Sequence, residues 1–187
     1  MKKFELTNEF ITNMFGTKLF RIRALVEFGD VEAGELGGYV EKESNLGHDD
    51  NAWVYDNAWV YGDAQVSGDA LVYGNARVYG NAWVYGNAWV YGNAWVYGNA
   101  LVCSDEDYAY AHGFGSVNRT TTFFRLKDGG VGVRCGCFYG TLAQFRDKIR
   151  ETHGETKKAQ EYLMLADLME LRFEEDENEV GNRKYVE

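Results

Sequence analysis

Few residues in this chain have the types and spacing that catalysis requires, and its three histidines come first. His48 stands beside Asp49 and Asp50, where general-base work would be chemically possible. His112 lies among glycines and aromatic residues, and His153 lies at the end of a predicted helix, where a cationic imidazole suits the helix dipole. We interpret His48 as part of a solvated polar bulge and the other two as structural residues. The sequence therefore predicts no catalytic site.

The three cysteines are the second group with chemical potential. Cys135 and Cys137 lie two apart on a predicted strand, which puts both thiols on one face, and Cys103 with His112 would complete a fourfold zinc site. The spacing is not the usual Cys-x-x-Cys, and small buried cysteines are the competing interpretation. We therefore predict no metal and no cofactor. The odd number of cysteines favours reduced thiols and, with no apolar run long enough for a signal peptide, a cytoplasmic location.

A six-residue repeat without insertions dominates the middle of the chain. Aligned on valine, nine hexads read NAWVYD, NAWVYG, DAQVSG, DALVYG, NARVYG, NAWVYG three times and NALVCS. Alanine and valine are two residues apart, so on a strand they project to one side, while tryptophan and tyrosine project to the other. The Gly-Asn and Gly-Asp pairs tolerate the positive φ that a sharp corner needs. A fixed hexapeptide period predicts a parallel β-helix.

The shape of this coil follows from a resemblance. The pattern Val-x-x-Asn/Asp-Ala-x resembles the repeats of left-handed β-helix proteins, in which three hexads make one triangular turn. The resemblance implies the left hand, which periodicity does not determine and which the general crossover rule disfavours. Nine hexads then form three turns, and a further irregular turn precedes them, because Val40 and Leu46 are six apart and the step from Leu46 to Val54 is eight.

Stacking the hexads by 18 residues predicts outward aromatic columns on two of the three sides. One interpretation is that the rings form ladders that stabilise a thin coil. The other is an exposed apolar surface for self-association or for a partner. We predict a binding surface formed by Trp53, Tyr55, Trp59, Tyr61, Tyr73, Tyr79, Trp89, Tyr91, Trp95 and Tyr97.

The two flanks of the repeat are predicted to close the ends of the coil, because open solenoid ends expose strands and core. KLFRIRALVEF alternates as a strand, and Lys-Asp-Gly-Gly joins two strands of a hairpin. Thr141 and Gln144 form a capping box that begins a helix, Gly154 ends it, and a second helix follows. The fold class is thus mainly β with a C-terminal ββαα unit. The predicted segments are the N-terminal cap 1–47, the β-helix 48–104, the hairpin with two helices 105–173 and a frayed acidic tail 174–187.

Motifs on both flanks identify a family. Arg21–Leu25 and Gly34–Glu41 carry R-I-x-A-L and G-x-L-G-G-x-V-E, and Gly136–Phe145 and Glu151–Gly154 carry G-C-F-x-G-T-L-x-x-F and E-T-H-G. With the repeats between them, nearly the whole chain resembles a phage and prophage family of hexapeptide-repeat proteins. This resemblance implies a small, acidic, cytoplasmic protein that antagonises a host factor, such as an inhibitor of a CRISPR nuclease.

The net charge of −10 narrows the function classes further. No segment is a basic patch, so direct nucleic-acid binding is disfavoured, whereas an acidic protein can engage a basic groove of a partner. The favoured function is a non-catalytic scaffold that binds a host protein and forms a homo-oligomer, with a dimer favoured. One alternative is a hexapeptide acyltransferase, although the histidine and projecting loop of the resembling enzymes are missing from the repeat. The other is a structural oligomerisation module.

Overall fold

In the computed structural model, which describes residues 1–115 and 117–174, the chain forms a β-solenoid of about four turns between two closing segments. The N-terminal segment, residues 1–40, contains three longer strands: β1 (Phe4–Thr12), β2 (Lys18–Ala24) and β3 (Leu36–Val40). The predicted acidic tail lies outside the described residues except for Glu174.

Nine short strands form the regular part of the coil, one in each hexad. They are β4 (Trp53–Val54), β5 (Trp59–Val60), β6 (Gln65–Val66), β7 (Leu71–Val72), β8 (Arg77–Gly80), β9 (Trp83–Val84), β10 (Trp89–Val90), β11 (Trp95–Gly98) and β12 (Leu101–Val102). Because each strand occupies the same place in its hexad, the repeat sets where every strand begins.

The coil has three sides, as the resemblance of its repeat to β-helix proteins implied. Strands β4, β7 and β10 form side one, β5, β8 and β11 form side two, and β6, β9 and β12 form side three. Neighbours within a side are parallel and 18 residues apart, for example Trp53 with Leu71. Val40 pairs with Val60 and Leu46 forms a bridge with Val66, which adds the predicted irregular turn. The left hand stays a prediction.

Alanine and valine fill the interior. Every alanine and valine of the nine hexads is buried, from Ala52 to Val102. Each buried valine stabilises the fold by about 1.5–3 kcal/mol before conformational entropy is subtracted. The corners stack closely as well, since a Cβ on Gly68, which has a φ of +72°, would lie 3.0 Å from the backbone of Gly86.

The N-terminal segment closes one end and extends side two. Strands β1 and β2 form an antiparallel hairpin, β2 pairs with β3, and β3 pairs with β5, so the sheet order is β1-β2-β3-β5-β8-β11. The predicted strand in KLFRIRA is confirmed. Strand β1 was not predicted, because its distal half is mostly exposed and its sequence is correspondingly polar.

The C-terminal segment forms a four-stranded antiparallel sheet covered by two helices. Its elements are β13 (Tyr108–Phe114), β14 (Arg119–Arg125), β15 (Val131–Cys135), β16 (Phe138–Thr141), α1 (Leu142–His153) and α2 (Lys157–Phe173). The predicted hairpin and both helices are confirmed, including the capping box of Thr141 and Gln144. The predicted ββ unit was incomplete, because β13 and β16 add one strand to each edge. Neither described helix is long and apolar enough to cross a membrane.

Side chains from the C-terminal segment cap the last turn on all three sides. The Trp89 amide donates to Asp105 Oδ1 at 2.7 Å, and the Trp95 amide donates to Thr122 Oγ1 at 2.9 Å. The Cys103 amide donates to Asp107 Oδ2 at 3.0 Å. These side chains accept hydrogen bonds from backbone amides that could otherwise pair with another strand.

Candidate functional site

Side two carries a ladder in which an arginine replaces the usual tryptophan. The Arg77 guanidinium lies between two indoles, 4.1 Å from the ring centre of Trp59 and 4.8 Å from that of Trp95. Both distances lie within the range of a cation–π contact, each of which contributes about 0.5–1 kcal/mol at an exposed site. The ladder therefore holds a positive charge in a defined place on the coil.

A tyrosine ladder runs beside these residues. The rings of Tyr61 and Tyr79 stack at 4.8 Å, those of Tyr79 and Tyr97 lie 4.4 Å apart, and Tyr139 meets Tyr97 edge-on at 4.7 Å. Burial raises the pKa of Tyr61 to about 12, although Arg77 among the nearby groups acts in the opposite direction. The Tyr61 hydroxyl thus stays protonated well above neutral pH.

Two groups flank the ladders of side two. One is the tip of the β1–β2 hairpin, where Met14 and Phe15 are exposed, and the other is Arg134 of β15. The Arg134 guanidinium lies 5.6 Å from the ring centres of both Trp95 and Tyr97. Together these groups line a cavity of about 590 Å³.

A second cavity of about 440 Å³ adjoins the first, and Arg77, Trp95 and Arg134 line both. The other residues that line it include His112, Arg119 and Thr120, together with Asn75 and Asn93 at corners of the coil. Arg119 passes directly over Gly136, at which any Cβ would collide with the guanidinium. We name the two adjoining cavities, with Arg77, Arg119 and Arg134 as their cations, the arginine groove.

Side one presents the least covered aromatic residues of the predicted surface. Trp89 is 48% exposed and Tyr91 is 40% exposed, and Leu71 and Tyr73 are half-buried beside them. Tyr73 and Tyr91 stack at 5.4 Å, and the Tyr91 ring is held edge-on by tyrosines of β13. We name Leu71, Tyr73, Trp89 and Tyr91 the open face.

Two residues of the predicted surface are not available for binding. Trp53, in the same column as Trp89, is 0% exposed, because the N-terminal segment covers it with the edges of Phe4 and Phe28. Tyr79 is 8% exposed, because its ring lies between two neighbours of the tyrosine ladder. The expectation that both belong to an exposed surface is wrong. The other half-buried residues of the predicted surface, on sides one and two, are Tyr55, Trp59, Tyr61, Tyr73, Trp95 and Tyr97.

The histidines have structural contacts. The His48 ring stacks on Phe4 at 4.4 Å, and its Nδ1 accepts a hydrogen bond of 3.2 Å from the Lys3 amide, so it is part of the cap rather than a solvated bulge. His112 Nδ1 lies 2.9 Å from the Thr120 hydroxyl at the rim of the arginine groove. His153 stacks on a tyrosine of α2 at 5.8 Å.

The cysteines do not converge. Cys135 ends β15, and Gly136 turns the chain with a φ of +59°, so Cys137 is exposed outside the strand. The expected shared face of the two thiols is therefore wrong. Cys103 lies at the solenoid end, where its thiol donates to Asp107 Oδ2 at 2.9 Å. Within residues 1–115 and 117–174, no three His, Cys, Asp or Glu side chains are grouped to hold a metal ion.

Sequence reasoning missed the arginine groove and one exposed indole. Arg77 is the only charged residue at the tryptophan position of the nine hexads, and that exception was a usable signal. Arg119 and Arg134 gave none, because they come from strands far along the chain. Trp83 is 45% exposed on side three, which the sequence does not predict as a binding surface because glutamine and leucine interrupt its aromatic column.

Comparison with known proteins bears on the repeat. A family model described as the YdcK beta solenoid repeat matches residues 64–77, 70–86, 76–92 and 82–98. None of the curated proteins matches the chain. The middle of this protein is thus a β-solenoid similar to the YdcK repeat, a description that names no enzymatic activity. The resemblance of the flanking motifs to a phage family stays a prediction.

Proposed function

We propose that this protein is a non-catalytic scaffold that binds another protein through the open face. The observation that carries the proposal is the exposure of Trp89 and Tyr91 on a rigid coil. Tryptophan and tyrosine are enriched among residues that dominate binding energy, since each buries about 150–250 Å² at little cost in conformational entropy. A coil whose turns are joined by regular backbone hydrogen bonds, such as that from the Leu71 amide to the Ala88 carbonyl at 2.9 Å, presents these rings without prior ordering.

The first partner we propose is a second copy of the chain. A flat aromatic face on one side of a solenoid is self-complementary under a two-fold axis, and such symmetric dimers are the commonest oligomers. The stacked pair of Tyr73 and Tyr91 would then meet the same pair of the other copy. This dimer is also what the structural oligomerisation alternative requires.

The finer form of the proposal is a phage-encoded inhibitor in the host cytoplasm that binds a defence protein, such as a CRISPR effector. The flanking motifs and the net charge of −10 support it. Effectors that bind nucleic acid have basic grooves, to which an acidic protein is electrostatically complementary.

The acyltransferase alternative has less support. His48 already accepts a hydrogen bond from Lys3 and stacks on Phe4, and no projecting loop interrupts the hexads between residues 51 and 104. Acetyl-CoA turnover that disappears in His48→Ala, with the fold retained, would restore the enzyme hypothesis.

Light scattering on the purified protein tests the scaffold proposal. We expect a dimer for the wild type and a monomer for Trp89→Ala combined with Tyr91→Ala, because the contact loses its two most exposed rings. Trp83→Ala is the matched control, since Trp83 is equally exposed but lies on side three. A wild type that stays monomeric at high concentration, or a dimer that survives the double substitution, would contradict binding between copies through the open face.

A further inference from the structure

We propose that the arginine groove binds an acidic segment of a partner protein, with its carboxylates on Arg77, Arg119 and Arg134 and its apolar side chains on the aromatic floor. This site lies on side two, whereas the open face lies on side one, so the inference does not depend on the scaffold proposal. Neither site shares a residue with the other.

The first argument is the residue at position 77. The three following hexads all place tryptophan there, and a tryptophan at 77 would continue the column from Trp59 to Trp95. Arginine gives up that continuous stack while keeping its alkyl stem and guanidinium between the indoles. A planar guanidinium stacked on rings still directs its N–H groups sideways, where they match a carboxylate bidentately. An anionic ligand would account for arginine at a position where tryptophan would continue the ladder.

The second argument is that these cations have no anionic partner among residues 1–115 and 117–174. Elsewhere, arginines are paired: Arg23 with Glu5, Arg146 with Asp167 and Glu170, and Arg150 with Asp147. In the part of the chain that the structure describes, no carboxylate lies within 4.0 Å of Arg77, Arg119 or Arg134. Three unpaired guanidiniums around one groove on a protein of net charge −10 form a local positive field.

The third argument is that the donors are held in place. Arg134 Nη1 donates to the Phe138 carbonyl at 3.3 Å, while its buried Nε has no acceptor among the described residues. Arg77 is held by its two indoles, and the Arg119 guanidinium lies directly against Gly136. A site whose cations are already ordered loses little side-chain entropy when it binds.

The shape of the groove favours an extended peptide over a compact anion. The two cavities lie side by side and share Arg77, Trp95 and Arg134, so two cations lie where the cavities adjoin and Arg119 lies in the second cavity alone. The first cavity also has an apolar part, with Met14 and Phe15 of the hairpin tip above the tyrosine ladder. A peptide that alternates acidic and aromatic side chains would contact both the cationic and the apolar part of the groove, whereas a phosphate would contact only the cationic part.

Fluorescence anisotropy with a labelled synthetic peptide tests this inference. The probe is a short peptide of alternating Glu and Phe, and its control replaces every Glu by Gln. We expect the Glu peptide to bind at least about tenfold more tightly, and its affinity to fall between about 20 mM and about 150 mM salt, because charged groups at a partly exposed site are screened.

Two variants locate the binding site. Arg77→Trp restores the consensus hexad NAWVYG, so the coil should fold while the central cation is lost, and Arg134→Gln removes the second cation from another element. Each should weaken the Glu peptide about tenfold, as expected when one charged partner of a close pair is removed. Arg150→Gln, on the exposed surface of α1, is the matched control and should leave affinity unchanged.

Three outcomes would overturn the inference. They are equal affinity for the Glu and Gln peptides, affinity unaffected by both groove variants, and tighter Arg77-dependent binding of inorganic phosphate or a single-stranded oligonucleotide than of the peptide. The last would assign the groove to a phosphate ligand. None of the three depends on whether the open face forms a dimer.

Discussion

The arginine groove and the open face arise from the same repeat on adjacent sides of one coil, yet they differ in chemistry. Both place aromatic residues in two outward columns with tyrosine rings stacked between turns. On side two, Arg77 replaces one tryptophan, and the hairpin tip and Arg134 stand over the ladder. On side one, Trp89 and Tyr91 face solvent. Of these two sides, only side two has a cation within its ladder.

The difference shows that the two closing segments determine which outward residues of the coil are covered and which are exposed. Strands β1 and β2 continue the sheet of side two, and their tip folds back over it, while residues 4 and 28 cover the first rung of side one. Trp53 and Trp89 hold the same position in their hexads, but one is a core residue and the other a surface residue. Burial here follows from neighbours outside the repeat.

The largest expected effect separates these two tryptophans. Trp53→Ala should lower the free energy of unfolding by about 3–5 kcal/mol, because it leaves a cavity under Phe4 and Phe28. Trp89→Ala should lower it by less than about 1 kcal/mol, because the side chain is half exposed. Urea unfolding followed by circular dichroism would measure both, and equal losses would contradict the assignment of Trp53 to the core and Trp89 to the surface.

A smaller effect should appear at alkaline pH and should come partly from the groove. Tyr61 in the unfolded chain ionises near pH 10, whereas in the folded protein its pKa is about 12. Its contribution to stability is therefore complete below the unfolded pKa and is lost as pH rises through the folded one. Burial likewise raises the pKa of Tyr79.

Thermal unfolding across this alkaline range would measure the effect. The melting temperature of the wild type should fall progressively above about pH 10. Tyr61→Phe combined with Tyr79→Phe should flatten part of that fall, since the phenyl rings keep the ladder but have no proton to lose. A melting temperature that does not change over the range would refute the raised pKa values.

The smallest expected effect concerns the exchange of arginine for tryptophan in the ladder. Arg77→Trp loses two cation–π contacts and gains ring contacts of similar strength, so stability should change by less than about 1 kcal/mol. Leu71→Trp, which places tryptophan at the same position of the hexad DALVYG on side one, is the matched control and should also fold. Marked destabilisation by Arg77→Trp alone would mean that Arg77 serves the coil rather than a ligand.

The sequence by itself determined the coil. Because every hexad repeats the same pattern of inward alanine and valine, strand positions follow from local periodicity, and the three sides follow from the resemblance to left-handed β-helix repeats. The capping box at Thr141 and the Lys-Asp-Gly-Gly hairpin were equally local signals, and both are present.

Only the tertiary structure decided which aromatic residues are surface and where the cations gather. Trp53 is buried by residues more than 20 positions away along the chain, and Arg134 reaches Trp95 from a different sheet. Such contacts depend on how separate elements pack, and no short-range period encodes them. The repeat therefore specifies the scaffold, while the packing of its two ends against it produces the open face and the arginine groove.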